Sequence, residues 1–144
     1  MTVNIDKIID NIRATVESHN LGGDGQYARW LWQNEAHERK MGLNEYGVAD
    51  AANILYTIGD FPCGSLSREK WISTLQGFQE KDTGLFREPT HHYIHTTAHC
   101  IAALELFDAK PLYPLRELMK YSNKDGLYDL LENLKWETVP WPQS

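Results

Sequence analysis

At 144 residues, with 42% hydrophobic content and a net charge of −6, the chain can bury one sizeable core but lacks the basic surface that nucleic-acid phosphates or an anionic membrane face require. No apolar run approaches the ~20 residues that span a bilayer. The N-terminus "MTVNIDKIID" has no apolar signal core, and Cys63 and Cys100 form neither a disulfide framework nor a CxxC pair. The expectation is a single domain over 1–144, cytoplasmic, with free thiols.

Residues 5–18 place Ile5, Ile8, Ile9, Ile12 and Val16 at helical spacing between charges, which predicts an amphipathic helix with one buried face. "LGGDG" at 21–25 stops it, because glycines end helices at low steric cost. Residues 26–38 set Tyr27, Trp30 and Leu31 on one side, with Glu35, Glu38 and Arg39 nearby, and predict a second helix. "VADAANILYTIG" (48–59) is apolar nearly all round, polar only at Asp50, Asn53 and Thr57. Residues 67–79 begin at a candidate N-cap, Ser67, and carry Trp71, Leu75 and Phe78 on one face. "TTAHCIAALELF" (96–107) is again apolar nearly all round. Residues 114–121 and 127–136 follow, the second with Leu127, Leu130, Leu131 and Leu134. A helix apolar on every side must be covered on every side, so 48–59 and 96–107 read as internal and the amphipathic helices as their outer layer. No segment shows the sustained alternation of a strand, and the fold class read from the sequence is all-α.

A repeat runs beneath this alternation. Gly42-Leu43, Gly84-Leu85 and Gly126-Leu127 are spaced 42 residues apart. "YGVADAANILYTIGDFP" (46–62) also lies over "HTTAHCIAALELFDAKP" (95–111) without a gap, at offset 49. The difference of seven is an insertion, "REPTHHY". Periods of this length in a helical chain signal stacked antiparallel helical hairpins.

"QEKDTGLF" (79–86) is similar to the QW-type motif of terpene cyclases and protein prenyltransferases, in which a Gln ties an outer helix to the turn before an inner one. The wider resemblance is to the α/α toroids, which include many glycoside hydrolases and polysaccharide lyases. It implies about half a toroid, with a third inner helix beginning near "WETVPWPQS". The Asp-rich acid motif of terpene cyclases and the Asp-Cys-His set of prenyltransferases are absent, so neither activity is implied. Toroids host unrelated chemistries, and the resemblance speaks to architecture.

The candidate site is "FREPTHHYIHTTAHC" (86–100), which holds four of six histidines. His95 and His99 are four apart and share a helix face, while His91 and His92 fall with Glu88 on the insertion. Two helical imidazoles plus a loop His or Glu could ligate zinc, line a polar ligand site, or serve as structural hydrogen-bonding groups; no metal and no cofactor is assigned. Offset 49 sets Asp50 over His99, and Asn53 shares the Asp50 face. A polar residue on such a helix needs a partner, either a ligand or a local cap. Glu88 with Asp50 could form a glycosidase carboxylate pair, or Glu88 could be solvated or paired with Arg87. Cys100 cannot easily pair with the adjacent His99 and reads as a buried structural thiol. Asp82 and Asp125 suit turns or caps, and Trp136 and Trp141 suit a cavity wall or simple packing.

The leading reading is therefore a small polar ligand, with saccharide the leading class, bound in a His-rich cavity. Glu88, His92 and Asp50 are its candidate catalytic groups for hydrolase or lyase chemistry. His91, His95, His99 and Asn53 are its candidate ligand contacts. The rival is a non-catalytic helical-repeat interaction module with structural histidines. An open half-toroid leaves apolar helices uncovered, so it must dimerise, close on itself, or be completed by further chain.

Overall fold

The computed structural model describes residues 4–34, 37, 39–134 and 136. Among them are five α-helices, α1 (Ile5–Ser18), α2 (Glu45–Ile58), α3 (Ser65–Gly77), α4 (Tyr93–Leu106) and α5 (Lys124–Asn133), and a 3-10 helix at Arg116–Tyr121. Extended pairing among the described residues is limited to four isolated bridges, so the fold is all-α. No helix is long and apolar enough to cross a membrane among the described residues.

Local chemistry explains the helix starts. Asn4 caps α1 through the Lys7 amide, and the Asn44 side chain accepts from the amides of Tyr46 and Gly47 at the start of α2. His92 caps α4 by accepting from the Ile94 amide, and Asn123 caps α5 through Gly126. Gly59, at φ 81°, closes α2 in the left-handed region where a side chain would be strained.

α2 and α4 pack on each other, and both touch α3; α1 packs on α2 alone. Tyr46 meets His95 and Asp50 meets His99, so α2 and α4 run parallel and level. Small fully buried residues bring the two backbones together: Ala49, Ala52, Thr96, Cys100 and Ala103. Trp71 and Leu75 of α3 close the core with Phe86, Leu104 and Phe107, and each large side chain so buried is worth about 1.5–3 kcal/mol. The buried Gln79 amide ties the end of α3 to two loops. Its Nε2 donates to the carbonyls of Gly84 and Tyr113, both at 2.8 Å, and its Oε1 accepts from the Tyr113 amide at 2.9 Å.

Several expectations are corrected. The described residues of 26–38, which are 26–34 and 37, form no α-helix. The chain there is irregular, with bridges Ala28 to Leu43, Trp30 to Met41 and Asn34 to Arg39; Glu35 and Glu38 lie outside the described residues. The reason is packing: the backbone of 27–29 lies directly against α2, leaving no room for a helix. α3 begins at Ser65 with Gly64 as its N-cap, and Ser67 instead donates to Asp24. α2 is not covered on every side, since Ile54 and Tyr56 are 37% and 57% exposed. α1 buries only its C-terminal half at Val16, while Ile5 and Ile8 are exposed. The three Gly-Leu pairs are not equivalent: Gly42-Leu43 and Gly84-Leu85 lie in irregular segments, the second just after the turn at 81–83, whereas Gly126-Leu127 lies in the first helical turn of α5. Trp136 donates its Nε1 to the Leu131 carbonyl; Pro140 and Trp141 lie outside the described residues.

Gly47 makes the close approach possible. A Cβ there would sit 2.6 Å from the Ala28 carbonyl carbon and 2.7 Å from the Arg29 nitrogen. Gly47→Ala should therefore cost about 1–3 kcal/mol, as overpacking against backbone does. Gly77→Ala, in α3 with open space around it, should be neutral or gain about 0.5 kcal/mol. Urea denaturation of both variants checks the contrast, and equal midpoints would refute the contact.

Candidate functional site

Tyr46 lies in the first turn of α2 with its ring buried, and the structure gathers polar side chains from three other segments around it. The His99 ring stacks on it at 4.9 Å and the His91 ring lies at 4.3 Å. His95 approaches edge-on at 5.9 Å, and its Nδ1 is 3.2 Å from the phenol oxygen. The Arg29 guanidinium sits 4.6 Å over the same ring, a cation–π contact. Burial raises the Tyr46 phenol above its ordinary value, so at neutral pH it is an uncharged hydrogen-bonding group rather than a ready base.

Arg29 is fixed from the far side by the insertion. Around its Nη1 stand Glu88 Oε2 at 3.2 Å, Thr90 Oγ1 at 2.8 Å and His91 Nδ1 at 3.1 Å, three partners sharing two N–H groups. Glu88 is 4% exposed and also accepts from the amide and hydroxyl of Thr90. The partner of Glu88 is thus Arg29, fifty-nine residues away, while Arg87 pairs with Glu80. His91 Nδ1 stands between the Arg29 Nη1 donor at 3.1 Å and the Glu88 Oε2 acceptor at 3.4 Å. Burial, then the neighbouring Arg29 charge, lowers the His91 pKa. Burial followed by Arg87 lowers that of His92. Glu45, in the first turn of α2, is raised by burial and by the nearby Glu88 charge.

Asp50 and His99 form a second pair, Oδ1 to Nε2 at 2.8 Å, half-exposed on the far rim. The carboxylate must accept, which puts the His99 proton on Nε2. Asn53 is not brought to this cluster; its Nδ2 bonds back to the Ala49 carbonyl. His92 stands at the helix start and stacks on Tyr93 at 4.3 Å. Among the described residues no three His, Cys, Asp or Glu side chains converge as metal ligands would. Cys100 is fully buried under the cluster and burial pushes its thiol well up, whereas Cys63 is exposed.

Two clefts flank the cluster. One, of about 380 Å³, is open and lined by Arg87, Glu88, Pro89, His91, His92 and Tyr93. The other, of about 180 Å³, lies between α1 and the start of α2, with Arg29 and Asp50 on its rim. The sequence reading had His91, His95, His99, Glu88 and Asp50 but missed Tyr46 and Arg29. The signal for Tyr46 was present, since offset 49 lays Tyr46 over His95 as it lays Asp50 over His99. Nothing local marked Arg29, which lies in the segment misread as a helix. No family model, curated protein or solved structure matches the chain.

Two measurements follow. Glu88→Gln keeps the shape but strands the Arg29 charge, and should cost about 3 kcal/mol, far more than the fraction of a kcal/mol expected for Glu80→Gln at the exposed Arg87 pair. The folded-state pKa of His91 lies below the free value of 6.5, so the unfolded chain binds more protons under that pH. Stability should fall as pH drops through 6.5, and His91→Gln should flatten the slope of urea midpoint against pH; an unchanged slope would contradict the burial of this ring.

Proposed function

We propose that the chain is a helical-hairpin domain of α/α-toroid type that binds a small polar ligand of the saccharide class in the open groove beside His91 and His92. The observation that carries this reading is the ring of His91, His95, His99 and Arg29 around the buried Tyr46, opening onto a groove with mixed polar and apolar walls. Such a surface offers a sugar both donors and acceptors, with the Tyr93 ring for its apolar face. Support for the hairpin architecture comes from Gln79, which joins an outer helix to the turn before an inner one, and from the level parallel pairing of α2 and α4. If the site turns over its ligand, hydrolase or lyase chemistry would use His92 or Glu88, both of which line the groove, with Glu88 3.2 Å from Arg29 Nη1.

Monosaccharides and disaccharides, neutral and acidic, should raise the melting temperature of the wild-type chain. His92→Ala and His95→Ala should each remove that shift. A shift that survives both substitutions, or no shift with any sugar, would end this reading.

The second reading, an interaction module without catalysis, has its own observation. Ile8 on α1 and Ile54 on α2 are exposed and border one apolar groove with Ile12 and Val16. On that reading light scattering gives a mass above the 16.6 kDa of one chain, and Ile8→Glu returns it to the monomer.

A further inference from the structure

The smaller cleft carries a different distribution of charge from the histidine groove. Its volume, about 180 Å³, equals the share of roughly six waters at ~30 Å³ each. That is below the ~300–1,000 Å³ of sites that enclose drug-sized molecules, so its occupant is small. Val16, Ala51 and Ile54 give it an apolar floor, and Arg29, Asp50 and His19 line it.

Each of these polar groups has part of its bonding capacity uncommitted. Among the described residues the hydrogen bonds of the Arg29 side chain all use Nη1, and none uses its Nε or Nη2. Asp50 commits Oδ1 to His99 and, among the described residues, Oδ2 bonds nothing. His19 Nδ1 lies 2.9 Å from the Ala28 carbonyl, which can only accept, so the proton sits on Nδ1 and Nε2 is left as an acceptor. Arg29 and Asp50 do not pair with each other; their ionic partners are Glu88 and His99. The cleft is thus lined by a cationic side chain, a carboxylate and an imidazole, with an aliphatic surface between.

We propose that this cleft binds an aliphatic α-amino acid as its zwitterion. The ligand carboxylate takes the free edge of Arg29, the only side chain that lines the cleft with donors and no acceptor. The ammonium takes Asp50 Oδ2 and His19 Nε2, and the side chain lies on Val16, Ala51 and Ile54. A neutral sugar could bond the rim but would leave the aliphatic floor against its hydroxyls. A carboxylic acid without an amine would leave Asp50 and His19 unanswered. The cleft is separate from the saccharide groove, because neither His91 nor His92 lines it, although Arg29 also belongs to the ring around Tyr46.

Calorimetric titration of the full chain tests it with L-leucine, with 4-methylpentanoate and 3-methylbutylamine (each lacking one charge), with L-tryptophan and with glucose. Leucine should bind. Each single-charge analogue should bind about tenfold more weakly or not at all, since a site with fixed polar groups rejects a ligand that leaves them unpaired. Tryptophan should be excluded by size. Asp50→Asn retains the acceptor facing His99, and should weaken leucine about tenfold while leaving 4-methylpentanoate little changed. His95→Ala, which removes saccharide binding on the reading above, should leave leucine binding intact. Absence of leucine binding, glucose binding as tight as leucine, or an Asp50→Asn variant that folds normally and binds leucine unchanged would each overturn the proposal.

Discussion

The ion pair between Arg29 and Glu88 is the constraint around which this end of the molecule is arranged. Glu88 is almost wholly buried, and an ionised carboxylate in that position is tolerable only with a cation and further donors in place. Arg29 supplies the cation, and Thr90 supplies two donors from the same turn. The guanidinium is itself held over the rings of Trp30 and Tyr46. The pair thus joins three parts of the chain remote in sequence: the irregular segment after α1, the first turn of α2 and the insertion before α4. None of the three could shift alone without leaving a charge unanswered. That is why a loop rich in turns can present His91 at a defined place.

Beneath that pair lies a contact of another kind. α2 and α4 touch through alanine, threonine and cysteine, so their separation is set by backbone rather than by long side chains. Close parallel helices leave polar residues at matching heights facing one another. Tyr46 with His95 and Asp50 with His99 are such neighbours, one turn apart on each helix. The polar face of the candidate site is in this sense a product of helix register, while its charge comes from the loops above.

Helices α1, α2 and α4 were legible because their information is local. The isoleucines of α1 and the near-continuous apolar character of α2 and α4 act over a few residues, whereas the asparagine caps of α1 and α2 were not read. Residues 26–38 show the opposite case. Tyr27, Trp30 and Leu31 satisfy a helical spacing, yet Gly47 admits the backbone of 27–29 against α2, and tertiary contact overrides local preference there. The candidate site divides the same way. The histidines are adjacent in sequence and were visible together. Arg29 reaches Glu88 across fifty-nine residues, and no pattern of short range encodes that meeting. Asn53 shows the limit of shared-face reasoning: it lies on the expected helix but bonds its own backbone, three residues past Asp50. In both cases the missing knowledge was which groups a side chain already had as partners.

The two cysteines have a consequence for how the fold could be watched in motion. Cys63 stands in solvent, while Cys100 is sealed where α2 meets α4 with its thiol held protonated. A thiol reagent should consume the first at once and wait on the second until the helices part. The lag between the two reactions is then a clock for the opening of the helix pair. Because Cys63 provides the zero of that clock within the same molecule, no label has to be introduced to read it.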